Sequence, residues 1–568
     1  MSQQHHFAYY CSGHGYGHCT RVTALTIALL EEGHLVDIIT NAPSHVFTAA
    51  LEWQPSASRR EPHSKRPRAT YRHALIDAGI SQPKAYDVDR LATIKGLAQF
   101  MASRPAMIEA ETAFLKANTI DCVLVDAPFL PCAAAKCAGI PAAIISNFTF
   151  CTCYSYLSLR DQAPRMLRPF AVSPTTQSSS VASRRARSAP DGLPTLDDFS
   201  SISQDPSAPL PAELLAPLVE QVIADYANAS LLLRLPGAIP IPAFDGDARL
   251  PSTAWVDLNK GSFTTAILDV IGLPDSVRNV RTPKRQRFDM PLIVRPAKAS
   301  IYDASERTRL LTSIGIPTHL QDPQTTKILL VSFGGQKIPN PKSRPPSPIS
   351  PGSPLPLAVL SDAVPSQVAC QVSRPLATPD HLYVPGAPPA LTHPSPVRHT
   401  ISLAMPDPHD DGSYPSDVSN ECGLLPPGWI AILCGYDNSS GELLPPNFYT
   451  TGKDVYVPDL TATADVILGK LGYGTCSEAV ATQTPFIYVP RPLFIEEYGL
   501  KRLMEQQGKP VEMSRDAFES GQWEHLIMRA YRLGCETKAA FREGRALPPD
   551  HSAAARTIVA SLISWLNA

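Results

Sequence analysis

Short apolar runs that end in glycine or a small polar residue, each followed by a stretch of helical periodicity, recur in both halves of this chain. The first half reads as strand Phe7–Cys11, helix Thr20–Glu32 stopped at Gly33, and strand Leu35–Thr40. Strand Cys122–Asp126, a helix through PCAAAKCA closed by Gly139, and strand Ala142–Ser146 follow. The second half opens at Lys327 with KILLVSFGGQ and continues through GWIAILCG, DVYVPDL and ADVILGKLGYGTCSEAVATQTPFIYVP to a final helix near Ala553–Leu566. Strands alternating with helices form parallel sheets covered on both faces. The pattern predicts an α/β chain of two Rossmann-like domains facing across a cleft, assigned to residues 1–294 and 295–568. Ligands of such sheets bind outside the carboxyl ends of the strands, where each glycine-rich loop here falls.

Three stretches interrupt the alternation. Between Pro339 and Pro415, 19 of 77 residues are proline, against a usual share of about 5%. Proline supplies no backbone donor to a helix or sheet, so 339–415 is expected to be a disordered insertion. The Ser/Pro-rich stretch 173–209 is expected to behave alike, as is a shorter one near 54–70. The last lies within SASRREPHSKRPRATYR, which carries six Lys or Arg between Arg59 and Arg72. It reads as a solvated basic loop, with nuclear import or phosphate binding as the alternative.

Charge and cysteine usage narrow the function classes. Fifty basic and 52 acidic residues leave a net charge of −2, which argues against a nucleic-acid partner. The 12 cysteines follow no metal-ligand spacing, and Cys151 and Cys153 read as buried thiols rather than a redox pair. Reduced cysteines fit a cytoplasmic protein. No apolar run approaches the ~20 residues of a membrane helix, and Phe7–Cys11 is too short for a signal segment. The sequons at Asn147, Asn228 and Asn438 are therefore expected to go unglycosylated.

Three loops carry the chemistry. In SGHGYGHCTR, Gly13, Gly15 and Gly17 permit tight turns and close backbone approach, and the next helix turns its free N–H groups toward an anion. A dinucleotide site needs G-x-G-x-x-G and an acid closing the second strand. Here His18 replaces the last glycine and that strand ends in Thr40 and Asn41, which disfavours NAD. His18, at the mouth of a glycine loop, suits a general base, and capping its helix is the alternative. His14 is the second candidate. The next loop holds Gly334 and Gly335 after strand ILLVS. The third, LGKLGYGTCSEAV, follows strand Ala464–Leu468. There Gly472 and Gly474 free the backbone, and Thr475 and Ser477 are placed to cap the helix over a phosphate. Glu478, expected in that helix's first turn, would take ribose hydroxyls or complement the helix dipole.

Together these residues resemble the two-domain GT-B glycosyltransferases, in the inverting branch that includes the lipid II-forming N-acetylglucosaminyltransferase and plant secondary-metabolite enzymes. FAYYCSGHGYGHCTRV, LLLRLPGAIPIPAF, VSFGGQ, LPPGWIAILCG, LPPNF and LGKLGYGTCSEA resemble, in the same order, the N-terminal glycosyltransferase-like region of plant L-arabinokinases. The phosphate loop of that family's galactokinase-like domain, P-x-x-x-G-L-[GS]-S-S-A, has no counterpart in this sequence, so sugar-kinase activity is not expected.

The resemblance implies inverting, hexosyltransferase-type transfer from a nucleotide diphosphate sugar, UDP-linked, to an unknown acceptor, with no metal or other cofactor. It implies His18 as base, with Asp126 orienting the imidazole; capping the helix after Pro131 is the alternative for Asp126. It places the diphosphate at Gly472, Gly474, Thr475 and Ser477, with Gly334 and Gly335 also on the donor side. It places the ribose at Glu478 and the nucleobase along Tyr456–Leu460, including Val457. Glu496 and Glu497 stand where this branch carries Asp-Gln or Gln-Gln for the donor sugar, and would repel a sugar bearing its own carboxylate. Two rival readings remain. Gly15, Gly17, His18 and Arg21 form G-x-G-H-x-x-R, which resembles the nucleotide-sugar hydrolase of pseudaminic acid synthesis, where water is the acceptor. The other rival is a non-catalytic nucleotide-sugar binder whose Pro-rich insertion recruits protein partners.

Overall fold

The computed structural model describes residues 3–14, 16–55, 66–160, 193–199, 202, 205, 208–246, 248–272, 285–333, 424–435, 444–452 and 455–568. The Pro-rich stretch 339–415, Gly15, Gly334 and Gly335 lie outside the described residues.

The strands of the first half are β1 (His6–Cys11), β2 (Leu35–Thr40), β3 (Arg68–His73), β4 (Cys122–Asp126), β5 (Ala142–Ser146) and β6 (Leu231–Arg234), the short antiparallel pair β7 (Val256–Asp257) and β8 (Ser262–Phe263), and β9 (Gln286–Asp289). All but that pair join one parallel sheet, ordered β3-β2-β1-β4-β5-β6-β9. The second half contributes β10 (Lys327–Ser332), β11 (Trp429–Cys434), β12 (Phe448–Thr450), β13 (Val466–Gly469), β14 (Phe486–Tyr488) and β15 (Pro510–Glu512). These form a second parallel sheet, ordered β12-β11-β10-β13-β14-β15. The two-sheet α/β arrangement expected from the sequence is present.

The helices of the first half are α1 (Tyr16–Glu31), α2 (Thr48–Leu51), α3 (Arg90–Ala117), α4 (Leu130–Ala138), α5 (Phe150–Tyr156), α6 (Ala212–Tyr226) and α7 (Thr265–Gly272). Those of the second are α8 (Ala304–Ser313), α9 (Val457–Thr463), α10 (Tyr473–Thr482), α11 (Glu496–Gln507), α12 (Arg515–Glu519), α13 (Glu524–Arg542) and α14 (Ala554–Leu566). Among the described residues no helix is long and apolar enough to cross a membrane.

Apolar side chains on both sheet faces explain why β1, β4 and β5 read as continuous hydrophobic runs. Tyr10, Val125 and Ile144 pack on one face, and Phe7, Tyr9 and Leu124 on the other. The second face continues into Ile328, Leu330 and Ile467 of the other sheet, so one apolar body spans both halves. The last helix, α14, returns to pack Ile558 and Leu562 into that body beside α1. His5 Nε2 and Asn567 Oδ1 meet there at 3.2 Å.

Register sets the chemistry. Cys11 is level with Asp126 of β4, and Ser332 with Gly469 of β13. The glycine loop after β1 and the carboxylate ending β4 therefore share one edge of the first sheet.

Four expectations need correction. The helix expected to start at Thr20 starts at Tyr16, so Gly17 and His18 lie in its first turn. The first N–H groups of a helix have no intrahelical partner, so glycine breaks little there. The basic stretch near 54–70 does not stay a loop to its end: from Arg68 it pairs with β2 as the edge strand β3. Thr70 there donates to Asp37, and the Tyr71 hydroxyl to the Ala42 carbonyl. Within 173–209, residues Leu196–Phe199 form a 3-10 turn and Phe199 is fully buried, because one aromatic in a Ser/Pro-rich context still finds the first-half core. Last, α10 starts at Tyr473, which puts Glu478 in the second helical turn rather than the first.

Candidate functional site

His18 and Arg21 sit one turn apart on α1, so both side chains point toward the end of β4. His18 Nδ1 lies 3.0 Å from Asp126 Oδ1. Arg21 grips the same carboxylate with two donors, Nε to Oδ2 and Nη2 to Oδ1, at 2.5 Å each. An ionised carboxylate only accepts. Nδ1 therefore carries the proton and donates it to Asp126, leaving the Nε2 lone pair free. Arg21 Nη2 also approaches Nδ1 to 2.9 Å, but a guanidinium cannot accept, so both donors converge on the carboxylate. Asp126 is fully buried. Burial pushes its carboxyl upward, yet Arg21 and His18 outweigh that and hold it below the usual range. For Arg21 burial works downward, and Asp126 more than reverses it. Asp126 is no helix cap: α4 begins behind Phe129 with no side-chain cap bond.

Across the cleft, α10 begins behind Gly472, also without a side-chain cap bond. The first-turn amides of Tyr473, Gly474 and Thr475 thus face outward from the helix N-terminus. The expected capping by Thr475 and Ser477 does not occur. Ser477 Oγ donates instead to the Gly474 carbonyl at 2.9 Å, because inside a helix a serine reaches back one turn. Two residues before the cap stands Lys470, which sequence reading passed over although it lies in the quoted LGKLGYGT. It has no hydrogen-bond or ion-pair partner among the described residues. Burial, followed by the neighbouring Arg491, lowers its ammonium to about 7 against the pull of Glu496 and Glu497.

Glu478 is buried and accepts on one oxygen, Oε1, from Arg295 Nε at 2.9 Å and Nη2 at 2.5 Å. Burial pushes its carboxyl up, and Arg295 opposes this. Tyr456 immediately precedes Val457, the first residue of α9. Its ring lies 5.9 Å from the Arg295 guanidinium, and its hydroxyl donates to the Pro296 carbonyl at 3.0 Å. Glu497 is occupied by Arg491, whose backbone N–H and Nε donate to it at 2.7 and 2.8 Å. Arg491 also holds the Leu471 carbonyl, so Glu497 braces the turn into α10. Glu496 accepts from Asn147 Nδ2, across the cleft, at 2.9 Å.

His14 is not part of this cluster. Its Nε2 lies 3.1 Å from the buried Asp77, and its ring fills space that a Cβ on Gly79 (φ +59°) would overlap. Gly13 is required for a local reason: a Cβ there would overlap Asn41 Oδ1, which accepts from the Gly13 N–H at 2.8 Å.

The two halves are closed on each other. A Cβ on Gly474 would lie 3.6 Å from Gly17 Cα, and the Arg21 guanidinium sits 4.6 Å from the Tyr473 ring centroid. The crevice lined by Thr20, Arg21, Ile293, Arg295, Tyr473, Ser477 and Glu478 has a cavity volume of about 0 Å³, with no room for a water molecule. Nothing larger fits between these residues unless the halves part. Among the described residues no group of three or more His, Cys, Asp or Glu side chains is placed to share a metal ion.

No family profile matches the chain. It is similar to an L-arabinokinase of Arabidopsis thaliana, 25% identical over 528 residues, covering 93% of this chain and 32% of the relative. The chain thus spans about a third of that relative's length. Among solved structures it is similar to a UDP-glucosyltransferase from Polygonum tinctorium at 13% identity and TM-score 0.45, covering 100% of both chains. A calicheamicin glycosyltransferase gives 12% identity and TM-score 0.44, covering 100% of this chain and 99% of that one.

Proposed function

We propose that this chain transfers a glycosyl group, with inversion, from a UDP-linked sugar to an acceptor hydroxyl in the cytoplasm. In this reading residues 1–294 hold the acceptor and 295–568 the donor. The observation that carries it is the opposition of two features across one cleft: an imidazole fixed with Nε2 free by a buried carboxylate, and a helix N-terminus with Lys470 beside it. His18 Nε2 takes the acceptor proton while Asp126 and Arg21 hold the ring. The amides at Gly472–Thr475 and the Lys470 ammonium stabilise the departing diphosphate. Glu478 offers the ribose a carboxylate acceptor, and the segment at Tyr456 and Val457 borders the base.

The test is incubation of the purified chain with UDP-sugars, alone and with acceptor alcohols, reading UDP and free sugar. UDP released only with acceptor supports transfer. Stoichiometric free sugar without acceptor would move the reading to the hydrolase, in which the same His18–Arg21–Asp126 unit would act on water. Donor affinity without any turnover would leave a binder, and phosphorylation of free sugars by ATP in a parallel assay would overturn the assignment.

Two further results are expected. Glu478→Ala weakens UDP binding by about 1.5–3 kcal/mol, the worth of a hydrogen bond to a charged group, read by titration calorimetry; unchanged affinity would take Glu478 out of the site. Lys470 makes binding pH-dependent. With its ammonium lowered to about 7 in the free protein, a bound diphosphate raises it again, so binding above that pH takes up a proton. UDP affinity then falls as pH rises above about 7, by up to about tenfold per unit. Lys470→Met should abolish the slope, and a wild-type affinity that stays level from pH 7 to 9 would contradict the contact.

A further inference from the structure

Asp126, Arg21, Asn147 and Glu496 form an unbroken line of buried side chains from the imidazole of one half to the first residue of α11 in the other. Arg21 Nη1 donates to Asn147 Oδ1 at 2.7 Å, and Asn147 Nδ2 donates to Glu496 Oε1 at 2.9 Å. Asn147 is fully buried and Glu496 is 8% exposed. The polarity at Asn147 is forced. A guanidinium only donates and an ionised carboxylate only accepts, so the amide oxygen must face Arg21 and the amide nitrogen Glu496. Asn147 therefore joins a cation to an anion that approach from different halves of the chain. Only the Asn147–Glu496 bond crosses between the halves and is lost if they separate; the Arg21–Asn147 bond lies within the first half.

Resting on the glycosyl-transfer reading above, we propose that Asn147 is a positioning residue: through Arg21 it sets the Asp126 carboxylate, and hence the His18 ring, only when Glu496 has closed onto it. Opening the cleft to admit the donor breaks the Asn147–Glu496 bond and leaves the amide that Arg21 donates to without its anchor in the other half. Reclosure restores that anchor, so the base is aligned when the donor half is in place. This differs from the donor-sugar contact expected for Glu496 from the sequence. In the closed form one of its oxygens is already committed to Asn147.

Asn147→Asp supplies the test. It keeps an oxygen for Arg21 but sets a second carboxylate against Glu496, and two carboxylates sharing a site retain a proton between them as pH falls. That shared proton restores a donor toward Glu496. The other charged or titratable groups in reach of Glu496 are Arg21 on α1, Lys470 before α10, Cys476 on α10 and Cys153 on α5. They are common to both proteins, so the mutant-to-wild-type ratio isolates the effect of the new carboxyl at 147. Turnover of Asn147→Asp relative to wild type should be depressed about 10–10²-fold at pH 8 and recover toward pH 6, while UDP affinity at pH 8 stays within about twofold. A ratio flat with pH, or Asn147→Ala with wild-type turnover, overturns the relay.

An activity-free measurement separates this from failure of the functional reading. In hydrogen exchange read by mass spectrometry, Glu496→Ala should speed exchange in the peptide covering residues 16–22, in the other half. Unchanged exchange there overturns the relay even if the enzyme is active. Faster exchange in a protein that turns over no sugar nucleotide leaves the relay standing and discards the glycosyl transfer.

Discussion

Replacing His18 with alanine should lower turnover by about 10²–10⁴, the usual worth of a positioned general base, and leave UDP affinity within about twofold. The split follows from where the atoms sit. The ring meets Asp126 through Nδ1, and the helix N-terminus, Lys470 and Glu478 all belong to the other half. Removing the imidazole takes away a proton acceptor and no donor-side contact. Stability should change little, because Asp126 retains both bonds from Arg21. The measurement pairs UDP release, with acceptor or with water, against UDP titration on the same folded mutant. Equal loss of binding and turnover would make His18 a structural residue. Wild-type turnover would move the base elsewhere, and His14, with its own carboxylate at Asp77, would be examined next.

Arg21→Met is expected to be the most destabilising single change in the site, about 3–5 kcal/mol, the cost of removing one partner from a buried ion pair. Asp126 has no solvent exposure and would lose two of its charge-assisted bonds, with His18 left as its one side-chain partner. Asn147 would lose its donor as well. The pH dependence has a definite sign. Asp126 in the native protein is held below its ordinary value, so its contribution is complete above the unfolded-state value of about 3.9 and is lost as pH falls through the native value. In Arg21→Met, burial acts against a weaker counter-pull, so the mutant should lose stability at a higher pH than wild type. Urea midpoints across pH 4–8, followed by tryptophan fluorescence, read both effects. Matching midpoints would mean that the guanidinium contributes no net stabilisation to Asp126.

Much of the fold was legible because strand and helix periodicity is local. β2, β4 and β5 begin and end where the apolar runs do, and Gly139 closes α4 in a left-handed conformation at φ +76°. The long helix α3 was missed. Its 28 residues contain Pro105 and its apolar positions are spread around it, so no sharp stripe marks it. The edge strand β3 was missed because its residues are mostly half-exposed and basic, the composition of a loop.

The site divides in the same way. That His18, Asp126 and the α10 glycine loop would gather at strand ends followed from strand–glycine–helix spacing, since the carboxyl edge of a parallel sheet is fixed by chain direction, whereas the roles of Asp126 and Glu478 came from the family resemblance. What each side chain bonds was not available from spacing. His18 finds Asp126 across 108 positions, and Asn147 finds Glu496 across 349; these pairings depend on the order of strands in each sheet and on how the sheets close. Arg21 reads as the last residue of G-x-G-H-x-x-R, and its grip on Asp126 is visible only when β4 is laid beside β1. Thr475 and Ser477 read as caps until the helix start is known, and Glu497 reads as a ligand group until Arg491 is seen to hold it. Sequence determined the elements and the edge at which chemistry gathers, because backbone preference and hydrophobic period act over a few residues. The tertiary structure decided which charges share a proton or an ion pair, because a buried charge must take its partner from whatever segment packing brings within hydrogen-bond reach.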